Sequence, residues 1–255
     1  MANKPTILLV TGSFSPPPIY DLVVSRLKDV GFEVVVPHLP SIGRTKDKDP
    51  APGLSDDVAL IRSELTRLVS QQEKHVLIIG HSYGGVPATE SIHGFSKAER
   101  EKEGRSGGVV RILYSAAVLP EIGETAAEFF GGKFADFVVI DDKHWAHLET
   151  EGAAKANFGT LPHEQGVKWA SKFQEHSIVT FSTPLTNAGY KDVDVSYLVT
   201  EEDSVIPPDK QLRSVDRIEK ESGRKVDVQR VKTGHSAYVL DPDAVANVIS
   251  KAAGL

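Results

Sequence analysis

The sequence predicts an α/β fold: a mostly parallel six-stranded sheet flanked by helices, with an inserted cap. Three observations carry that prediction. Short apolar runs alternate with stretches of helical periodicity, and this alternation builds a parallel sheet covered on both faces. One run, HVLIIG (His75 to Gly80), leads directly into His81-Ser82-Tyr83-Gly84-Gly85, so a buried strand ends on a serine fenced by glycines. From about Glu121 to Lys191 the periodicity becomes mixed, and 10 of the chain's 18 aromatic residues fall there. Residues 1–120 and 192–255 are therefore assigned to the core and 121–191 to the cap.

The elements follow in order. TILLVTG (Thr6 to Gly12) reads as a buried strand ending in a turn. PIYDLVVSRLKDVGF then puts Tyr20, Val23, Val24 and Leu27 on one face of a helix. EVVVPHLP (Glu33 to Pro40) reads as the second strand. SDDVALIRSELTRLVSQQ reads as a helix with Ser55 as N-cap and acidic residues in its first turn. The third strand is HVLIIG, and GVPATESIHGF opens the third helix. SKAEREKEGRSGG (Ser96 to Gly108) reads as a helix end plus an exposed loop. Val109 to Pro120, Val193 to Asp203 and Val226 to Gly234 read as the fourth, fifth and sixth strands, with a helix from about Pro208 after the fifth. The last helix has Asp241 as N-cap and Pro242 at its first position.

Composition narrows the function. A chain of 255 residues, 40% hydrophobic, suits one large domain, or one domain carrying an insertion. A net charge of -6 with no long basic run argues against a nucleic-acid partner. The absence of cysteine excludes disulfides, thiolate nucleophiles and cysteine-ligated metals. MANKPTILLVTG has no signal-peptide h-region, and no apolar stretch is long enough to span a bilayer. The expectation is a cytoplasmic protein with no membrane partner.

Ser82 lies in a G-x-S-x-G pentapeptide. A glycine-rich turn with a helix-capping serine would share those letters, but the apolar strand before and the helix after single it out. Such a turn projects the hydroxyl at the carboxyl edge of the sheet, and the next amide sits at a helix N-terminus, where it meets developing negative charge. A serine hydroxyl needs a base. Of nine histidines, His235 in KTGHSAY follows the last strand and so emerges on the edge that carries Ser82. His75 and His81 read as structural. The base needs a carboxylate to set its tautomer. Asp203, after the fifth strand, is the choice, with Glu202 and Glu121 as alternatives. The amides of Ser13 and Tyr83 are the candidate oxyanion donors. Phe14, Phe129 and Trp145 are the candidate substrate contacts, although the aromatics of 121–191 would serve equally well as the cap's own core. His144 and His147 would share a helix face and suggest a metal, but FVVIDD before them reads as a short strand; no metal and no cofactor are expected.

Taken together, these residues resemble the α/β-hydrolase superfamily over nearly the whole chain. The resemblance is strongest to the small cofactor-free branch that contains methyl-ester esterases and hydroxynitrile lyases of plants and related bacterial and fungal hydrolases. GHSYGG corresponds to its elbow, LVTEEDSVIPPDKQ resembles its acid turn followed by Ile-Pro, and ANFGTLPHEQGVKWASKFQEHSIVTFSTPL resembles its cap segment returning to the sheet. Thr11-Gly12 stands where the branch often has His-Gly, and the acid turn is one residue longer. The superfamily's first two strands have no room before residue 6, which is why six strands are expected. The resemblance implies a serine hydrolase that cleaves a small apolar carboxylic ester or lactone through an acyl-enzyme. Other readings are a hydroxynitrile-lyase-like C–C lyase, a natural-product cyclase or thioesterase, and a ligand receptor that retains the triad. In the lyases a lysine typically follows the catalytic histidine; here Ser236 does. The expected partner is a small-molecule ester or lactone, and a homodimer is left open.

Overall fold

The structure is a computed structural model that describes residues 4–254. In chain order the elements are β1 (Thr6–Val10), α1 (Asp21–Asp29), β2 (Val34–Val35), α2 (Leu54–Leu65), β3 (His75–His81), α3 (Gly85–Ser91), α4 (Lys97–Lys102) and β4 (Gly108–Ser115). There follow α5 (Ala126–Phe129), β5 (Val138–Ile140), β6 (Trp145–Leu148), α6 (Thr150–Phe158), α7 (His163–Ala170) and β7 (His176–Ser177). The chain closes with β8 (Asp194–Thr200), α8 (Pro208–Ser222), β9 (Asp227–Val231), α9 (Ala237–Leu240) and α10 (Pro242–Ala252).

The main sheet has six strands in the order β2-β1-β3-β4-β8-β9, every pair parallel. Alternation along each strand feeds two cores. Leu8, Val10, Ile78, Tyr114, Tyr197 and Val199 face α2, α3 and α8. Ile7, Leu9, Leu77, Ile79, Leu113 and Leu198 face α1 and α10. The register pairs Val10 with Gly80, His81 with Ser115, and Thr200 with Val231, so the carboxyl ends of these strands emerge along one edge. In open α/β sheets that edge is where ligands bind.

Several elements differ from expectation. β2 is only two residues long. It lies at the sheet edge, and Pro37 and Pro40 bring no N–H to extend the ladder. α2 starts at Leu54, and the Asp56 carboxylate accepts from the Gly53 N–H at 2.8 Å, so Gly53, not Ser55, is the cap. Ser96 to Gly108 holds a helix of its own, α4, closed by a capping box between Ser96 and Glu99. Arg100 of that helix is buried, and its guanidinium donates to the carbonyls of Val69, Ser106 and Gly107. β4 stops at Ser115 because Ala116 takes φ 43°. At the last helix the Asp241 carboxylate accepts from Ala244 N–H at 3.0 Å, as the sequence indicates.

Between β4 and β8 lies a small antiparallel sheet, β5-β6-β7, with α5, α6 and α7 around it. FVVIDD does contain a strand, β5. His144 sits in the turn after it at φ 63° and His147 lies on β6, both exposed, so no helix brings them to one face. This segment is tied to the core by a bridge between Ile42 and His176 and by the Gln174 N–H, which donates to the Phe14 carbonyl at 2.9 Å. Among the described residues, no helix is long and apolar enough to cross a membrane.

Candidate active site

Ser82 follows β3 at φ 51°, a left-handed conformation that costs a non-glycine residue on the order of 1–3 kcal/mol. The glycines around it are demanded by close approach. A Cβ on Gly80 would lie 2.7 Å from Gly85 Cα, and one on Gly84 would lie 2.3 Å from the Val10 carbonyl oxygen. The helix after the serine is thus pressed against both its own strand and the end of β1, and that pressure drives the sharp turn.

The loops after β8 and β9 bring two further side chains to this turn. His235 Nε2 is 3.0 Å from Ser82 Oγ, and His235 Nδ1 is 2.8 Å from Asp203 Oδ2. Asp203 and His235 are each 4% exposed. The other oxygen of Asp203 accepts from Val205 N–H at 2.8 Å and Ile206 N–H at 2.9 Å, and the Thr200 hydroxyl donates to Oδ2 at 2.8 Å. Burial pushes the Asp203 carboxyl up, but the His235 imidazole, the Ile206 amide and the Thr200 hydroxyl together outweigh it and hold the group below its ordinary value. An ionised Asp203 accepts the Nδ1–H of His235, which leaves the Nε2 lone pair to receive the Ser82 hydroxyl hydrogen. Glu202 and Glu121 do not reach His235. Both are exposed; the Glu202 N–H donates to the Thr233 carbonyl, and Glu121 lies 3.9 Å from Arg217.

Ser13 and Phe14 form the turn after β1. The chain crosses Ser82 closely there, since a Cβ on Gly12 would lie 3.0 Å from Ser82 Cβ. Among the described residues the Ser13 N–H has no acceptor. Tyr83 lies in the helical turn Ser82–Gly84, with its side chain fully buried. Its hydroxyl donates to Asp57 at 2.8 Å, and its ring stacks on Phe181 at 5.6 Å. Asp57 also accepts the amide and hydroxyl of Ser41, yet burial still pushes its carboxyl up to about 6.

A cavity of about 210 Å³ opens onto Ser82 and His235. Phe14 lines it, together with Phe130, Phe134, Phe137, Phe173 and Phe181. Its ionisable lining residues are His235 and Lys133 alone. Trp145 and Phe129 are not part of this lining, which corrects the expectation for both. Trp145 lies on β6 with its ring 5.9 Å from the Arg44 guanidinium and faces a separate cavity with Arg44 and Lys143. Phe129 turns its ring to Lys210 Nζ, 4.1 Å away, and sends its neighbour Phe130 to the cavity. Aromatic density marks the segment in the sequence but not the inward-facing members. Among the described residues, one cluster has metal-ligand geometry, His93 with Glu99 and Asp192. It does not line the cavity, and Glu99 is already engaged by the Ser96 hydroxyl and the Gly94 amide.

A parallel sheet covered on both faces, with a strained serine, a histidine and a buried aspartate in bonding contact at its carboxyl edge, defines a class: α/β proteins with an elbow serine. The alpha/beta hydrolase family matches residues 7–248, and the chain belongs to that family as a hydrolase of the α/β-hydrolase type. A relative described as "Probable hydrolase R7", from Phoma sp. (strain ATCC 20986 / MF5453), is 30% identical over 253 residues, covering 99% of this chain and 100% of that one. Two solved structures share the fold. A pyrethroid hydrolase from Sphingobium faniae JZ-2 superposes with TM-score 0.73 at 20% identity, covering 98% of this chain and 97% of the other. A polyneuridine aldehyde esterase superposes with TM-score 0.73 at 15% identity, covering 98% and 99%.

Proposed function

We propose that the protein hydrolyses a small, apolar carboxylic ester or lactone through an acyl-enzyme on Ser82. The observation that carries this reading is the continuous line of bonds from Asp203 through His235 to Ser82, ending in an apolar cavity. Ser82 Oγ attacks the substrate carbonyl carbon while His235 Nε2 takes its proton. The carbonyl oxygen becomes an oxyanion held by the amides of Ser13 and Tyr83. Collapse breaks the C–O bond to the leaving group, and the departing alkoxide takes the proton from His235. Water then attacks the acyl-enzyme, giving its proton to His235; the acid leaves and Ser82 recovers its hydrogen. Asp203 keeps Nδ1 protonated throughout and stabilises the transient imidazolium. No step requires a metal or cofactor.

The segment 121–191 acts in this reading as a cap that selects the acyl group. The cavity, at about 210 Å³, is smaller than the roughly 300–1,000 Å³ of pockets for drug-sized ligands, which favours a small substrate. The phenylalanines in its lining favour an apolar one. The esterase among the structural neighbours supports ester chemistry, and Ser236 beside His235 gives no support to a lyase that needs lysine there. The test is turnover of aryl acetates, methyl esters and lactones, combined with a fluorophosphonate probe and mass spectrometry. One adduct, on Ser82, is expected. No adduct, or an adduct on another serine, overturns the proposal.

A further inference from the structure

His81 is the first of the two variable residues of the G-x-S-x-G pentapeptide, and unlike Tyr83 it has no part in the chemistry above. It is 5% exposed and packs its ring against His235 at 5.2 Å and Tyr238 at 4.8 Å. Its Nε2 lies 3.2 Å from the backbone carbonyl oxygen of His235, and its Nδ1 lies 2.7 Å from the Tyr20 hydroxyl oxygen. That hydroxyl in turn accepts the Gly12 N–H at 2.8 Å.

The direction of every bond follows from the two ends. A carbonyl can only accept, so His81 Nε2 carries the hydrogen. An amide N–H can only donate, so Tyr20 Oη accepts from Gly12 and spends its own hydrogen on His81 Nδ1. The result is a one-way relay: Gly12 N–H to Tyr20 O–H to His81, then His81 Nε2–H to the His235 carbonyl. It needs the neutral ring, because an imidazolium would place a second N–H against the Tyr20 hydroxyl and turn the hydroxyl hydrogen away from His81. Burial, and then the neighbouring His235, push His81 down to about 3, consistent with a ring that stays neutral.

The three segments joined are the ones that carry the proposed chemistry. Gly12 precedes Ser13, His81 precedes Ser82, and the relay ends on the backbone of His235 itself. We propose that Tyr20 and His81 are positioning residues that hold the Ser13 amide and the His235 imidazole in register with the Ser82 hydroxyl. The proposal rests on the acyl-enzyme reading of this site. Its consequence is kinetic, since a displacement near 1 Å at a reacting group costs on the order of 100-fold in rate.

The experiment measures kcat and KM on an aryl ester, and the rate of fluorophosphonate addition, for Tyr20→Phe, His81→Leu, the double variant and His81→Gln. Tyr20→Phe removes only an oxygen, so it tests the relay even if His81→Leu fails to fold. In Tyr20→Phe, kcat is expected to fall roughly 10- to 100-fold with KM within about threefold. The double variant is expected to be no slower than the slower single variant, because both break one chain of bonds. His81→Gln, whose amide N–H can still reach the His235 carbonyl, is expected to recover most of the rate lost in His81→Leu. Unaltered kcat and labelling rate in Tyr20→Phe would overturn the relay, as would additive losses in the double variant. ¹⁵N spectra of the wild-type protein test it without any substitution: His81 must show a proton on Nε2 alone from pH 6 to 8, and an Nδ1–H tautomer refutes it. Failure of the wild type to label at Ser82 would instead strike the acyl-enzyme reading and leave the tautomer result standing on its own.

Discussion

Asp203→Asn perturbs the site where its bonding is most constrained. The carboxylate collects five donors. Val205 N–H and Ile206 N–H reach Oδ1 at 2.8 and 2.9 Å, while His235 Nδ1, the Thr200 hydroxyl and Gln211 Nε2 reach Oδ2 at 2.8, 2.8 and 3.4 Å. An amide offers only one oxygen. The two backbone donors cannot change role, so that oxygen stays at the Oδ1 position and the new NH₂ group faces His235. His235 must then accept at Nδ1 and carry its proton on Nε2, where the N–H points at Ser82 Oγ and cannot receive its hydrogen. The expected loss in kcat is about 10⁴-fold, or roughly 5.5 kcal/mol at about 1.36 kcal/mol per decade. KM should change little, because Asp203 does not line the cavity. Stability gives a second readout. Asp203 is held below its ordinary value in the fold, so its ionised form stabilises the protein above the unfolded carboxylate value, about 3.9. That contribution is lost as pH falls through the folded value. The variant should therefore melt below the wild type at pH 7, and the difference should close in acid. The assay is steady-state hydrolysis of an aryl ester at pH 7.5 beside thermal melts at pH 7 and pH 3. A folded Asp203→Asn protein within about tenfold of wild-type kcat would refute the assignment, as would a larger loss in Glu121→Gln or Glu202→Gln.

Other outcomes follow from the same geometry. Gly84→Ala, whose Cβ would meet the Val10 carbonyl oxygen at 2.3 Å, should lose soluble yield or melt far below the wild type; a melting temperature within a few degrees would contradict the close approach. Phe134 lines the cavity yet is 37% exposed, so Phe134→Ala should fold normally and weaken bulky acyl esters by about 1–3 kcal/mol relative to acetyl esters. Trp145→Ala should lower the melting temperature and leave that kcat/KM ratio unchanged, and the reverse pattern would put the wrong side of the segment against the substrate. Burial pushes both His81 and His176 down to about 3, so their contributions to stability are present above the unfolded histidine value, about 6.5, and are lost as pH falls toward 3. Asp57, pushed up to about 6, works the opposite way: its contribution is present below about 3.9 and is lost as pH rises through about 6. Urea titrations from pH 6 to 4 should show falling stability, and His176→Gln should reduce that slope by about one proton, or ~1.4 kcal/mol per pH unit. An unchanged slope would place His176 in contact with water.

What could be read from the sequence depended on whether a constraint was local and steric or was set by packing. The elbow is of the first kind. Gly80 and Gly84 are glycine because backbone atoms approach to within a bond length or two of where a Cβ would be, and no rearrangement elsewhere relieves that, so five letters and their flanks suffice. The grouping of Ser82, Asp203 and His235 was legible for a topological reason. In a parallel sheet every strand delivers its following loop to the same edge, so residues placed just after strands converge, even across the 153 positions between Ser82 and His235. Outside the sheet this logic stops. Phe129 and Phe130 are adjacent, both apolar, with rings at 89°, and nothing in their letters says which faces Ser82. Trp145 lies on a strand, where alternation gives a parity, but which parity turns inward depends on how β6 seats against β7 and the loop after β2. The relay was hidden for the same reason. Tyr20 looks like one more apolar position in an amphipathic stretch, and its burial is indeed complete. Its hydroxyl gains a role only because folding brings Gly12, eight residues away, and His81, 61 residues away, to either side of it. A buried phenol must satisfy its hydrogen bonds. A tyrosine on the inward face of a helix is therefore a cue that polar partners must be sought, although the sequence alone does not say where they will come from.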